Sequence, residues 1–172
     1  MSRRGVNPVY EAIRTRRVTR QMSAEPVTPE LLELVAGAAR WAPNAGNRRL
    51  QPLRVVVDPV TIRMLKAVAP GMVPTPPAVL AICLDRSRAE EFGFAPEHRG
   101  LYIDVGTTAA TLLLAAHSVG LGACPVTSFS RAAAARVLDL PAGISAELLV
   151  CLGHPTEAQP ATLSALDDSR GG

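Results

Sequence analysis

Apolar residues recur at helical spacing in two early segments and crowd together in a later one. Asn7-Pro8 sets a capping residue before a proline at the first helical position, which predicts a short helix running to about residue 17. Thr28-Pro29-Glu30 repeats that start signal. Leu31, Leu34, Val35, Ala38 and Ala39 then follow at helical spacing, with Trp41 and Pro43 at the end. A loop is expected over 44–52. Residues 53–57 read as a strand, being mostly β-branched and stopped by Asp58-Pro59. A helix is expected over about 61–69 and a loop over 70–77, which carries four prolines. Residues 78–84 read as a second, buried strand.

Residues 101–119 are the most informative stretch. Ile103, Val105, Ala109, Ala110, Leu112, Leu113, Leu114, Ala115, Ala116 and Val119 leave almost no polar face. A helix that is apolar nearly all round is buried nearly all round. Either it lies at the centre of one domain, or its own domain covers one side and a partner the other. Gly106, Ala109, Ala110 and Ala116 are small enough to let a second helix come close, which favours the partner. Gly120-Leu121-Gly122 ends this helix, with glycine as the terminating residue. An extended piece is expected over 123–128, then a helix capped by Ser130 and running to about 138. Leu140-Pro141 breaks that helix, and 147–152 reads as a third strand. From Gly153 the chain turns polar and contains proline. There is no internal repeat and no sign of a second domain. We therefore expect one domain over 1–172, with a core of about 7–155 and a polar tail over 156–172. Strands and helices mix, so the class is α+β or α/β around a central sheet.

Composition narrows the choices. A length of 172 residues suits one domain with a real core, and 48% hydrophobic residues argue against a disordered chain. Aromatics make up only 3%, so Ala, Val and Leu must build the core. The net charge of +3 is uneven: residues 1–54 hold ten Arg against four Glu, and the remainder is net acidic. A basic end suits a nucleic acid, an acidic surface or a phosphate-bearing cofactor. Nucleic acid is the weakest of these, because stacking aromatics are scarce and no DNA-binding pattern occurs. Cys83, Cys124 and Cys151 form no C-x-x-C pair and read as buried thiols in a reducing compartment. MSRRGVNPVY lacks an apolar signal region, and no apolar run is long enough for a membrane span, so a cytoplasmic location is expected.

The usual catalytic sites are missing. His98, His117 and His154 lie too far apart for a local metal motif, and we assign no metal site. His117, on the apolar helix, reads as a satisfied core histidine. No G-x-S-x-G elbow and no Walker loop occurs, and Gly120-x-Gly122 follows a helix rather than a strand. Lys66 is the sole lysine and falls on an expected surface helix, which argues against Schiff-base chemistry. With no side-chain nucleophile or acid/base pair evident, no catalytic side chain is assigned. An enzyme of this kind takes its reactive group from a cofactor, and the arginine cluster becomes a candidate phosphate anchor.

Three segments, taken in order, resemble the FMN-dependent nitroreductases. The first is Ile13-Arg14-Thr15-Arg16-Arg17-Val18-Thr19-Arg20 with Glu25-Pro26-Val27 after it. The second is Ala39-Arg40-Trp41-Ala42-Pro43-Asn44-Ala45-Gly46-Asn47 with Gln51-Pro52. The third runs from Asp104-Val105-Gly106 through Leu112-Leu113-Leu114-Ala115-Ala116-His117 and Gly120-Leu121-Gly122 to Cys124-Pro125-Val126-Thr127-Ser128-Phe129. Leu152-Gly153-His154-Pro155 is similar to the family's ending, so the resemblance covers about 7–155.

The resemblance implies an α+β fold, a central mixed sheet flanked by helices in an intertwined homodimer with two FMN at its interface. It implies that Arg16 pairs with the FMN phosphate with Arg17 assisting, that Val18 lies beside them on the cofactor, and that Arg20 reaches the pyrimidine edge of the flavin. Guanidinium suits the phosphate through its planar fork, and a cation at the pyrimidine edge stabilises reduced flavin. Pro43, Asn44, Ala45 and Asn47 would come from the other subunit and line the ring. Pro125, Val126, Thr127 and Ser128 would pass along the flavin. Read from composition alone, the same pieces are a solvated basic helix end, a turn, and a connector between helices.

Three features depart from the family pattern. Val18 stands where Ser or Thr is usual, Arg48-Arg49 is an insertion, and no Lys or Arg follows closely after the 153–155 turn. The lost hydroxyl and the missing C-terminal base imply a weaker hold on FMN, for which Arg48-Arg49 could supply compensating positive charge. The chain is also shorter than is usual in the family, which implies a reduced C-terminal arm and a looser dimer, and the short stretch over 84–101 implies an open substrate face. The function implied is an FMN oxidoreductase. NAD(P)H would reduce the flavin and leave, and a nitroaromatic, quinone or similar acceptor would then enter in its place. The alternatives are a flavin dehydrogenase or oxidase of a small metabolite, and a non-catalytic flavin-binding protein.

Overall fold

The computed structural model describes residues 7–95 and 97–156. Its elements, in chain order, are α1 (Pro8–Thr15), α2 (Pro29–Ala38), β1 (Leu53–Val56), α3 (Pro59–Val68), β2 (Ala78–Asp85), α4 (Arg86–Glu91), α5 (Arg99–Ser118), β3 (Gly122–Val126), α6 (Arg131–Val137) and β4 (Ile144–Gly153). Short 3-10 turns at Ala39–Trp41 and Ala45–Asn47 follow α2.

The capping logic of the sequence holds at atomic level. Asn7, Thr28, Asp58 and Ser130 each accept a hydrogen bond from the backbone N–H two or three residues on, and proline opens α1, α2 and α3. Gly120, at φ 78°, takes the left-handed position that stops α5.

The strands order as β1-β2-β4-β3, and all three pairings are antiparallel. The parallel component is one bridge, Val18 to Ala123, on the outer edge of β3. The next turns of chain are stitched to the end of the sheet. Met22 bridges Pro155, Ser23 N–H donates to the His154 carbonyl at 2.8 Å, and Gly153 is buried as the last residue of β4. Residues 157–172 of the expected polar tail lie outside the described residues.

Helices cover both sheet faces, and β2 shows the period-two rule directly. Ala78, Leu80 and Ile82 pack with α2 and α5 on one face, and Val79, Ala81 and Cys83 pack with α3 and α6 on the other. With few aromatics, the largest fully buried side chains are Leu, Ile and Val. At about 25 cal/mol per Å² of apolar surface, such a core must be closely interlocked to hold the fold.

β4 starts at Ile144, three residues earlier than expected, because Glu147 sits in a bulge. Ile82 faces Leu148 while Cys83 faces Ala146, so Glu147 is the extra residue. Its buried carboxylate is 2.9 Å from Arg86 Nη2 and 3.0 Å from Arg131 Nε, and it accepts from Ser145 Oγ at 2.6 Å. Arg86 also donates to Tyr102 Oη at 3.0 Å. That hydroxyl is the main reason the Arg86 pKa is held above its ordinary value. A buried carboxylate needs such partners, and here they tie the starts of α4, α5 and α6 to β4.

Candidate functional site

The segment after α1 carries the arginines. α1 ends at Arg16, whose backbone turns extended at ψ 133°. Val18 and Thr19 then run beside β3, and Thr19 N–H donates to the Ala123 carbonyl at 2.9 Å. Gly122 is required at this approach, because a Cβ there would lie 2.6 Å from the Thr19 side chain.

The arginines differ in what they touch. Arg14 pairs with Glu11 at 2.6 Å on the surface. Arg17 Nη1 donates to the Arg14 and Arg16 carbonyls at 2.7 and 2.9 Å, so that nitrogen closes the C-terminus of α1. Arg16 Nη1 is buried and has no hydrogen-bond partner. A buried, unpaired guanidinium nitrogen fits an anionic group such as a phosphate. Arg20 is exposed, and its charge reaches Cys124 on β3. Burial nevertheless dominates and raises that thiol's pKa.

Residues 125–128 continue from the part of β3 that Val18 bridges at Ala123. Pro125 and Val126 end β3, while Thr127 and Ser128 are exposed. Their path is fixed by the proline-rich loop: Gly71 N–H donates to the Ser128 carbonyl at 3.0 Å, and Ser130 N–H to the Val68 carbonyl at 2.9 Å. Lys66, expected on a free surface helix, spends its ammonium on this loop, donating to the Val73 and Pro74 carbonyls and to Thr75 Oγ1.

Residues 43–47 sit elsewhere. Thr107 Oγ1 donates to the Pro43 carbonyl at 2.8 Å, and Ala45 N–H donates to the buried Asp104 Oδ2 at 3.0 Å. Asn44 uses its side chain within the loop, donating to the Ala42 carbonyl and accepting from Arg49 N–H. Asn47 stands exposed at φ 55°. The loop is thus moored to the N-terminal half of α5.

α1 is moored to the other half. Thr15 Oγ1 lies 2.9 Å from His117 Nε2 and also donates to the Glu11 carbonyl at 2.7 Å. The hydroxyl thus joins the last turn of α1 to the His117 ring. The two moorings, Asp104 and His117, are thirteen positions apart on α5, about 20 Å at the helical rise per residue. One chain therefore lays the arginine segment along β3, through Val18 and Thr19 at Ala123 with the charge of Arg20 reaching Cys124, while 125–128 continue that strand, and it holds Pro43, Asn44, Ala45 and Asn47 on the N-terminal half of α5.

An open cavity of about 500 Å³ lies beside β1, lined by Glu33, Arg40, Arg49, Gln51, Val55 and neighbours. Of the expected site residues only Asn44 borders it, so it is a separate feature of the molecule.

One face of α5 is uncovered. Leu101, Val105, Ala109, Leu112 and Ala116 are buried, while Ile103 is 64% exposed and Gly106 and Ala110 are exposed with it. A Cβ on Gly106 would meet nothing within 4 Å. Val9, Tyr10 and Ile13 of α1, and Trp41 at 82%, are further exposed apolar side chains.

Sequence reasoning assigned no role to Asp104 or Thr107. The available signal was an acid in an otherwise apolar helix. It missed α4 altogether, a single turn and a half capped by Asp85 Oδ1 accepting from Arg88 N–H.

This architecture is that of a known enzyme class. A model of the nitroreductase family matches residues 13–78 and 65–154, and the chain belongs to that family and is an oxidoreductase. It is 29% identical over 168 residues to a putative NADH dehydrogenase/NAD(P)H nitroreductase of Methanothermobacter thermautotrophicus, covering 94% of this chain and 84% of the relative. It is 30% identical over 174 residues to an NADH dehydrogenase of Thermus thermophilus, covering 83% and 84% of the two chains. Its fold is similar to that of an NADPH:FMN oxidoreductase from Vibrio harveyi complexed with NAD+, at TM-score 0.78 and 26% identity over 88% of this chain and 70% of that one. A nitroreductase family protein from Clostridium difficile matches at TM-score 0.75 and 24% identity, over 88% and 86%. Among the described residues, no helix is long and apolar enough to cross a membrane.

Proposed function

We propose that the protein is an FMN-dependent NAD(P)H oxidoreductase that acts as a homodimer, with nitroaromatics, quinones or similar compounds as acceptors. The observation that carries this reading is the separation along α5. The arginine segment, through Thr15 of α1, and the 43–47 loop are moored to one chain's α5 at positions about 20 Å apart along the helix, whose outer face is apolar and uncovered. A second copy laid antiparallel on that face, about a two-fold axis, sets the 43–47 loop of one subunit beside the arginine segment of the other. Both ends of α5 then complete a site, and two equal sites result.

In that arrangement Arg16 supplies the buried guanidinium nitrogen to the phosphate and Arg20 places positive charge at the edge of the ring. The 125–128 segment runs along one side, and the partner's 43–47 loop closes the other. When bound, FMN supplies the hydride-accepting and hydride-donating atom that the side chains lack. The protein's own work is binding, orientation and exclusion of water from the ring.

The test is the visible spectrum after addition of FMN and gel filtration, followed by anaerobic addition of NADH or NADPH. Flavin bands eluting at the dimer size, bleached by nicotinamide nucleotide, are expected. A colourless protein, or bound flavin that neither nucleotide bleaches, overturns the proposal.

A further inference from the structure

Arg48 and Arg49 follow directly on the 43–47 loop, and the structure sends Arg48 to an unexpected partner. Its guanidinium carbon lies 4.2 Å from the centroid of the Phe92 ring, at the end of α4. The guanidinium of Arg88, one turn back on α4, lies 5.7 Å from the same centroid. Each contact is an ordinary cation–π arrangement. Together they gather two like charges on one aromatic ring. Among the described residues neither arginine forms an ion pair, although Glu90 and Glu91 stand on the same helix. Two unneutralised guanidinium groups on one ring repel each other and are relieved by an anion between them.

The backbone reinforces this placement. Asn47 and Arg49 both take left-handed φ, at 55° and 52°. Asparagine tolerates that region, but arginine has no such preference, so the conformation costs roughly 1 kcal/mol or more and must be held from outside. The holding contact is the Arg49 N–H donating to Asn44 Oδ1 at 3.1 Å. The result turns Arg48 toward α4 and Arg49 toward the β1 cavity. Beneath the pair, Ala89, Leu50, Leu84 and Leu101 form a small separate core with Phe94 against it, so the surface that carries the two arginines is anchored.

We propose that Arg48 and Arg88, organised by Phe92, bind a phosphate of the nicotinamide dinucleotide. This rests on the functional reading above. If the 43–47 loop lines the flavin, the cluster stands at the rim where that loop ends. A nicotinamide stacked on the ring must pass its phosphates out over such a rim. The phosphate has two possible sources, the pyrophosphate common to both nucleotides or the 2′-phosphate that only NADPH carries.

Both arginines are exposed, so Arg48→Ala, Arg88→Ala and the double variant should fold. Phe92→Leu keeps apolar bulk while removing the ring. The measurements are kcat/KM for NADH and NADPH, FMN affinity, and calorimetric binding of ADP and of 2′,5′-ADP. The double variant is expected to lose about tenfold or more in kcat/KM, mainly through KM, with FMN affinity kept, and Phe92→Leu to lose part of that. Loss confined to NADPH and to 2′,5′-ADP puts the 2′-phosphate at the cluster. Equal loss for both nucleotides, with weaker ADP binding, puts the pyrophosphate there. Unchanged kcat/KM and probe binding in the double variant overturns the proposal, as does loss of FMN affinity, which would assign the arginines to the flavin instead. If the wild type is not reduced by either nucleotide yet binds 2′,5′-ADP or ADP through these arginines, the binding site stands and the oxidoreductase reading fails. If it binds neither probe and is not reduced, both fail.

Discussion

Asp104 carries the 43–47 loop on α5: its buried carboxylate accepts the Ala45 N–H at 3.0 Å, across 59 positions of sequence. Asp104→Ala removes the acceptor and leaves that N–H without a partner. The expected cost is about 1–3 kcal/mol of stability, read from a denaturant melt. FMN affinity should fall as well, because the loop loses its mooring. Asp104→Asn retains a carbonyl oxygen and should lose much less of both. Equal stability and equal FMN binding in Asp104→Ala would show that the Thr107 contact to Pro43 suffices alone.

Arg16 separates binding from folding. Its Nη1 is buried with no hydrogen-bond partner, so truncation breaks no hydrogen bond made by that atom. Arg16→Ala should therefore melt close to the wild type. If the nitrogen meets the FMN phosphate, the same variant loses a charge-assisted contact of about 1.5–3 kcal/mol, a roughly tenfold to hundredfold rise in the flavin Kd. A flavin titration and a thermal melt on the same sample decide it. A destabilised variant with unchanged flavin affinity would make Arg16 a structural residue only.

Most of the fold was legible because its signals are local. Caps at Asn7, Thr28 and Ser130, the proline-rich loop and the glycine at 120 fix element ends through short-range geometry, and they lie where the pattern put them; Asp58, read only as a strand stop, also caps α3, which therefore begins at Pro59 rather than near 61. α4 was invisible because six residues give no helical period. The early start of β4 was hidden because its bulge carries a glutamate, and only the tertiary partners Arg86, Arg131 and Ser145 make a buried acid tolerable in a strand. The site was legible as segments and not as contacts. Nothing in the residues near Arg16 tells which guanidinium caps the helix and which stays free, since that depends on where the Arg14 and Arg16 carbonyls point.

The thiols make a pH-dependent prediction. Burial raises Cys83 to about 11 and Cys151 to about 12, and raises Cys124 as well. The thiolate is the reactive form, so alkylation of the folded protein near neutral pH should be very slow and should become fast on unfolding. The stability effect has a definite sign. These groups bind protons more tightly folded than unfolded, so their contribution is intact below the ordinary thiol value near 9 and is lost as pH climbs through the folded values. Stability should therefore decline above about pH 9. Replacing Cys83 and Cys151 by alanine should flatten that decline, and rapid labelling of the native protein at pH 7 would contradict the burial.

Gly106 gives the sharpest test of the dimer. It lies on the uncovered face of α5 with Ile103 and Ala110, and a Cβ there would meet no other part of its own chain within 4 Å. Replacing a mid-helix glycine by leucine also improves helix propensity, by something under about 1 kcal/mol. Considered alone, the subunit should accept Gly106→Leu and gain slightly in stability. If a second α5 packs on that face, the same substitution places a branched side chain where two helices meet, and overpacking of that kind costs about 1–3 kcal/mol in each subunit. Sedimentation velocity should then show a shift toward monomer. FMN affinity should fall in parallel, because the 43–47 loop of the partner is removed from the arginine segment. A variant that stays dimeric with flavin bound would move the interface off this face of α5. A monomer that still binds FMN tightly would mean that one chain holds the cofactor without its neighbour, against the separation of the two groups along the helix.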